Sequence, residues 1–310
     1  LARGVTTVVD AGTSGADTFA GFRKYVIEAS ATRIYAHLNI SSQGMLSPAI
    51  GELDDLKWAD VPRALQTIEA NRDRILGVKV RLTRNSVVGQ SAGLRPLYHA
   101  REAADAAGLP VMVHPQDAWC ASIDDVLAVM KAGDVLTHSY HGHNHGILDE
   151  SGRIRPAVRA ARARGVLFDV GHGAGSFSWQ TCETALAQEF LPDTISTDLH
   201  TRNVHGPVYD LATTVSKFLY LGFSLEDALD KVTAVPAQVI GMGDRHGTLA
   251  VGARGDAAVI KLQEGSFVLQ DCHQDVRTAR QLLVPHVVIK DGRVYGQPPP
   301  GRSKSIEQSR

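Results

Sequence analysis

Cysteine is scarce in this 310-residue chain: Cys120, Cys182 and Cys272 are odd in number, far apart and never in a CxxC pair. Such spacing builds neither a disulfide framework nor a thiolate zinc cluster, and a reduced, cytoplasmic setting is expected. An excess of one charge is missing too, with 32 Lys and Arg against 33 Asp and Glu, a net of −1. Surfaces that grip phosphate backbones or anionic lipid concentrate Lys and Arg, so neither nucleic acid nor membrane is an expected partner. No apolar run approaches the roughly 18–20 residues of a membrane span, and the N-terminus lacks the charged-then-apolar order of a signal peptide. A dinucleotide fingerprint is absent as well. Asp10-Ala11-Gly12-Thr13-Ser14-Gly15 follows the first apolar run, but it is not GxGxxG and no acidic ribose ligand stands downstream.

What remains is an ordinary globular composition, 44% hydrophobic and 21% charged, long enough to bury roughly 75% of the surface that its unfolded form exposes. Short β-branched runs alternate with longer helical patterns. The runs are Gly4–Asp10, Ile34–Ile40, Ile75–Val80, Pro110–His114, Val135–His138, Val166–Val170 and Thr194–Asp198, seven strand candidates, with Pro96–Ala107 and Pro156–Arg164 among the helical stretches. Near-continuous apolar character suits parallel strands buried on both faces. Two closures are common for such alternation, a doubly wound sheet and a (β/α)8 TIM barrel. Lys79, His114, His138 and Asp198 lie at or near the C-terminal ends of their runs, where a barrel collects its chemistry from several strands, and the barrel is therefore preferred.

After Asp198, Pro207–Leu221 is apolar at helical spacing, Ser224 is placed to cap a helix over 225–233, and Pro236 to begin another. From His246 onward Gly and alternating β-branched residues prevail, and Asp291-Gly292 between two strand-like runs signals a hairpin. The expected organisation is a barrel over residues 1–245, a small β-sandwich portion over 246–296 and a polar tail over 297–310. No internal repeat is visible.

Position is a better guide to the 13 histidines than their number. His114 and His138 end successive buried runs, so their imidazoles can converge at one barrel mouth, and Asp198 ends the last run in the same way. Imidazole nitrogen with carboxylate oxygen suits zinc, manganese or iron. Lys79 is an odd occupant of a buried strand end: burial of an ammonium favours the neutral, nucleophilic amine, which can take up CO2 as a carbamate.

These residues resemble a known family. Gly4-Val5-Thr6-Thr7-Val8-Val9-Asp10-Ala11-Gly12, Gly77-Val78-Lys79, Met112-Val113-His114, Leu136-Thr137-His138, Phe168-Asp169-Val170-Gly171-His172-Gly173, Ile195-Ser196-Thr197-Asp198 and the 206–214 stretch together look like the amidohydrolase superfamily. The subgroup is that labelled dihydroorotase-like or deacetylase, whose members include esterases of acetylated α-hydroxy acids. The resemblance implies a hydrolase with two divalent metal ions, zinc being expected. Lys79 would be a carboxylated bridging ligand, His114 and His138 ligands of the second metal, and Asp198 a ligand of the first metal and the proton shuttle. The expected substrate is a small, anionic acetylated hydroxy acid or N-acetyl amino acid. Cyclic amide opening of the dihydroorotase kind is the alternative, a non-catalytic barrel scaffold a further one, and homo-oligomerisation is left open.

Family members begin the barrel with a strand ending in His-x-His, which does not precede Leu1, so the chain is expected to be N-terminally truncated, with the first strand missing and its stability and activity at risk without it. His141-Gly142-His143 and His143-Asn144-His145 match that string, but in a Gly- and Asn-bearing loop rather than at a strand end. Further candidates for substrate contact are His172 between two glycines, Arg81 and Arg84, whose guanidinium groups suit a carboxylate, and His200 with Arg202 and His205 in the segment after Asp198. Trp179 and Cys182 are read as packing residues.

Overall fold

The computed structural model describes residues 1–47 and 49–295, so the expected tail over 297–310 lies outside the described residues. The chain forms two compact units, one of Thr7–Ser139 and His143–Phe168, the other of Leu1–Thr6, Tyr140–Gly142 and Asp169–Arg310.

In the first unit, six strands make one parallel sheet: β1 (Thr7–Asp10), β2 (Arg33–Asn39), β3 (Ile75–Arg81), β4 (Val111–His114), β5 (Val135–Leu136) and β6 (Leu167–Phe168). Their order in space is their order in sequence. Each parallel step needs a crossover, supplied by α1 (Phe19–Phe22), α2 (Val61–Ala70), α3 (Arg95–Ala107), α4 (Ile123–Val129) and α5 (Pro156–Ala163). A doubly wound sheet reverses its order at a switch point, whereas monotonic order is the winding of a (β/α) barrel. The helix boundaries have local causes. Asp60 accepts the Arg63 amide at 3.0 Å and so starts α2, Ser122 and Asp125 form a capping box on α4, and α3 ends where Gly108 takes φ 67°. Leu38, Val78, Val80 and Val113 are fully enclosed, and burial of each such side chain contributes about 1.5–3 kcal/mol.

The last strands are shorter than expected. β5 stops at Leu136 because His138 turns into the left-handed region, φ 61°, although the Thr137 amide still donates to the Val113 carbonyl at 3.1 Å.

In the second unit, the run expected as a seventh strand pairs without forming a regular strand. Asp169 and Thr194 form one parallel bridge, and the amides of Val170, His172 and Gly173 donate to the carbonyls of Thr194, Ser196 and Thr197 at 3.1, 3.1 and 3.0 Å. The Asp169 carboxylate accepts the hydroxyls of Thr194 (2.6 Å) and Ser196 (2.7 Å), while positive φ at Gly171, Gly173 and Asp198 turns the two segments out of strand geometry. Helices α6 (Trp179–Leu186), α7 (Leu211–Tyr220), α8 (Leu225–Asp230) and α9 (Ala234–Val239) follow. Helix α7 begins at Leu211 rather than near Pro207 because Asp210 caps it, accepting the Thr213 amide at 2.8 Å. Ser224 caps α8 as expected, at 3.0 Å from the Asp227 amide.

A three-stranded antiparallel sheet completes the unit: β7 (Ala257–Gln270), β8 (Val276–Lys290) and β9 (Arg293–Tyr295), in that order. Asp291 and Gly292, both at positive φ, make the β8–β9 turn. The β7–β8 hairpin is far longer than the sequence pattern suggests. Its tip packs on the N-terminus of α6, where the buried Asp271 carboxylate accepts the Trp179 amide at 2.9 Å and the Arg277 guanidinium clasps Glu183 at 2.8 and 2.9 Å.

Candidate active site

Lys79 is enclosed near the end of β3, 2% exposed. Its register partners are Asn39 on β2 and Met112 on β4. Gly12 lies against the lysine stem: a Cβ built there would stand 2.6 Å from Lys79 Cβ and 2.5 Å from Cγ, at a backbone φ of +92°. That explains why the turn after β1 carries glycine at this point. Asn39 holds the same turn by donating to the Gly12 carbonyl at 3.1 Å, and donates also to Glu52 at 3.2 Å.

Glu52, Asp10 and His37 all feel the charge of Lys79. Burial raises the Glu52 carboxyl above its usual range, opposed by Arg81 and Asn39 and then by Lys79 itself. Asp10 is likewise raised by burial, against its hydrogen bonds from Thr13 and Gly12. His37, beside Gly77, is pushed down to about 3, first by burial and then by Lys79, and its Nδ1 has no hydrogen-bond partner. At neutral pH it is an uncharged imidazole. Gly77 makes room for it, since a Cβ there would meet His37 Cε1 at 3.0 Å.

The two strand-end histidines of this unit come together. The rings of His114 and His138 lie edge to face with centroids 4.5 Å apart, both largely enclosed. His114 is oriented by Thr83, whose hydroxyl stands 3.0 Å from Nε2. His138 holds its place at a backbone φ of 61°, a conformation that costs about 1–2 kcal/mol for an L-residue and that surrounding structure must enforce.

The arginines expected to face substrate have protein partners. Arg81 forms an ion pair with the buried Glu52, and the Arg84 guanidinium lies 5.9 Å from the Trp119 ring centroid.

In the second unit Asp198 also sits at positive φ, 44°. Its carbonyl accepts from Asn203 at 2.8 Å. Its carboxylate lies against Gly173, where a Cβ would be 2.9 Å from Oδ2. His200 takes part in the following turn, its amide donating to Asn203 at 2.8 Å and its Nδ1 accepting from Arg202 at 3.2 Å. His172 is fully enclosed, with Nδ1 at 3.0 Å from the Gly173 carbonyl and Nε2 at 2.6 Å from Lys217 Nζ. With both ring nitrogens engaged it supports the backbone beside Asp198 rather than presenting a polar atom to a ligand. Burial and Lys217 hold its pKa well below the usual value. Trp179 and Cys182 are enclosed packing residues of α6.

The sequence is matched over residues 1–295 by the model of the amidohydrolase family. The chain belongs to that family. A protein named deacetylase from Agrobacterium fabrum (strain C58) is 38% identical over 289 residues, 93% of this chain and 70% of that protein. The crystal structure of an adenine deaminase superposes with a TM-score of 0.89 at 34% identity, covering 95% of this chain and 79% of that one. That of a dihydroorotase gives 0.87 at 37% identity, covering 96% and 77%. This amidohydrolase chain is accordingly a hydrolase, and its fold class is the (β/α) barrel with a small β portion. Among the described residues no helix is long and apolar enough to cross a membrane.

Sequence reasoning missed Asn39, Glu52, Thr83 and Lys217. Only Lys217 left a signal, a lysine within the apolar face of a helix. For a divalent cation, the donors present are two facing imidazoles and a buried lysine. Among the described residues no three His, Cys, Asp or Glu side chains gather as a ready cage. Imidazole nitrogen suits zinc-like ions, and the fit rests on that pair and on the oxygen donors that Lys79 would add if carboxylated.

Proposed function

We propose that this chain hydrolyses the ester or amide bond of a small, anionic, acylated substrate, an acetylated hydroxy acid or an N-acetyl amino acid. The observation that carries the reading is the pair of facing imidazoles, His114 and His138, in a chain with the buried Lys79 and with a relative named deacetylase. Divalent ions, zinc in our reading, held by His114, His138, Asp198 and a carboxylated Lys79 would supply a water acidified toward neutral pH and a polarised carbonyl. Asp198 accepts the proton of the attacking water and delivers it to the leaving oxygen or nitrogen, as general base and then general acid. One bond forms, from water oxygen to acyl carbon, and one breaks, from acyl carbon to the leaving group. Glu52 and Asn39 keep the surroundings of Lys79 ordered, and Thr83 fixes the rotation of His114. Arg81, Arg84 and His200 are assigned to the substrate carboxylate, with Arg81 shared between that anion and Glu52. Three free thiols accord with a reducing, cytoplasmic compartment.

A screen of acetylated hydroxy acids, N-acetyl amino acids and cyclic amides, run beside metal analysis of the chain, tests the proposal. Turnover of an acetyl compound, lost on chelation and nearly abolished in Asp198→Asn, is the expected result. A full rate in Asp198→Asn would refute the proton-transfer role. Opening of cyclic amides alone would favour the second reading, for which the likeness to a dihydroorotase structure speaks.

A further inference from the structure

Lys217 is the most deeply enclosed lysine described in this chain, 0% exposed on α7. Its Nζ stands 2.6 Å from His172 Nε2, 3.1 Å from the Pro207 carbonyl and 2.6 Å from the Gln270 carbonyl at the end of β7. An ammonium has three donors and no acceptor, and here three acceptors meet it. The rings of Phe177 and Trp179 lie 5.6 and 6.0 Å from the same nitrogen. A lysine placed in an apolar interior is strongly disfavoured unless fully partnered, so this arrangement is built rather than incidental.

The imidazole transmits that constraint. His172 stacks on Phe177, centroids 4.7 Å apart and planes at 20°. With Lys217 donating to Nε2, the ring is neutral and carries its proton on Nδ1, which donates to the Gly173 carbonyl at 3.0 Å. The amides of His172 and Gly173 donate to the carbonyls of Ser196 and Thr197, which tie this segment to the one ending in Asp198. Gly173 has φ 58°, and its Cα faces the Asp198 carboxylate, so closely that a Cβ would stand 2.9 Å from Oδ2. From the other side Cys272, at the hairpin tip, donates its amide to the Phe177 carbonyl at 3.1 Å and sets its Sγ 3.4 Å from the Gly173 carbonyl.

We propose that Lys217 is a positioning residue for Asp198: through His172 and the end of β7 it locks the 171–173 segment that sets the place of the carboxylate. Lys217 touches no reacting atom itself. The proposal rests on the reading of Asp198 as proton carrier, and its test separates the two. In the full chain labelled with 15N-histidine, the long-range 1H–15N spectrum of His172 should show a protonated Nδ1 and an unprotonated Nε2 at neutral pH. In Lys217→Met, which keeps the length and removes the charge, the amides of His172 and Gly173 should exchange at least tenfold faster, while those of β3 are unchanged. The turnover number should fall at least tenfold with KM within twofold. A His172 protonated on Nε2 in the unsubstituted chain overturns the proposal, and so does unchanged exchange at His172 and Gly173 in the variant. Should Lys217→Met not fold, the tautomer of the unsubstituted chain decides. If no acetyl compound is turned over, the proposed substrate reading fails by that result alone, and the tautomer and exchange still decide whether Lys217 locks the segment.

Discussion

Replacement of Gly12 by alanine tests the placement of Lys79 without any assumption about substrate. Two costs add. Gly12 has φ +92°, and an L-residue at positive φ costs about 1–2 kcal/mol. The new methyl carbon would also stand 2.6 and 2.5 Å from Lys79 Cβ and Cγ, whereas carbon atoms in contact are about 3.5–4.0 Å apart. The overlap of about 1 Å falls on the part of the lysine stem nearest the strand, which cannot swing aside, and overpacking of this kind costs about 1–3 kcal/mol. The sum, about 2–5 kcal/mol, is a large part of the roughly 5–15 kcal/mol that holds a domain folded. Gly108→Ala is the control, since Gly108 has φ +67° and a Cβ there meets nothing within 4 Å. Urea unfolding at constant m-value gives both numbers from the midpoints. The difference between the variants isolates the overlap, and it should vanish in a Lys79→Gly background, where both offending atoms are gone. If Gly12→Ala destabilises no more than Gly108→Ala, the stem of Lys79 does not lie over this turn, and the arrangement of the site is wrong.

Three other outcomes follow from the first unit. Asp134 is 1% exposed, accepts Arg101 at 2.7 Å and caps the amides of Val111 at 2.8 Å and Lys131 at 2.7 Å, so Asp134→Ala should cost about 3–5 kcal/mol in urea unfolding, and a loss under 1 kcal/mol would contradict that role. His37, with a folded pKa of about 3, binds no proton between that value and the unfolded value of about 6.5 while the unfolded chain does. Its share of stability is therefore complete above pH 6.5 and lost as pH falls, about 2 kcal/mol between pH 7 and 5. His37→Gln should flatten that limb, and an unaltered pH slope would refute the burial of a neutral ring. Thr83→Val removes the hydroxyl held 3.0 Å from His114 Nε2 and should weaken divalent-metal binding about 10–100-fold in competition titrations; unchanged affinity would show that the hydroxyl does not orient the ring.

The alternation of apolar runs with helical stretches was enough to read the parallel sheet, because strands buried on both faces must be apolar throughout whatever packs on them. The ends of those runs were legible for a related reason. A polar residue closing a buried strand is conspicuous in one dimension, which is why Lys79, His114, His138 and Asp198 stand out in the sequence as candidates. Caps and turns, such as Ser224 and Asp291-Gly292, could be read because their partners lie within four residues. The expected seventh strand was a poorer inference: Thr194–Asp198 has the right residues, yet positive φ at Gly171, Gly173 and Asp198 interrupts the pairing and leaves one parallel bridge.

The length of the β7–β8 hairpin was not legible because many of its side chains are exposed, so the alternation seen in parts of the 246–296 segment is not sustained along both strands. Arg81 and His172 looked like groups awaiting a ligand, and only the fold revealed Glu52, 29 residues away, beside the first and Lys217, 45 residues away, beside the second. Periodicity tells which side of an element is turned inward. What a buried charge meets there depends on segments remote in the chain, and that is set by packing alone.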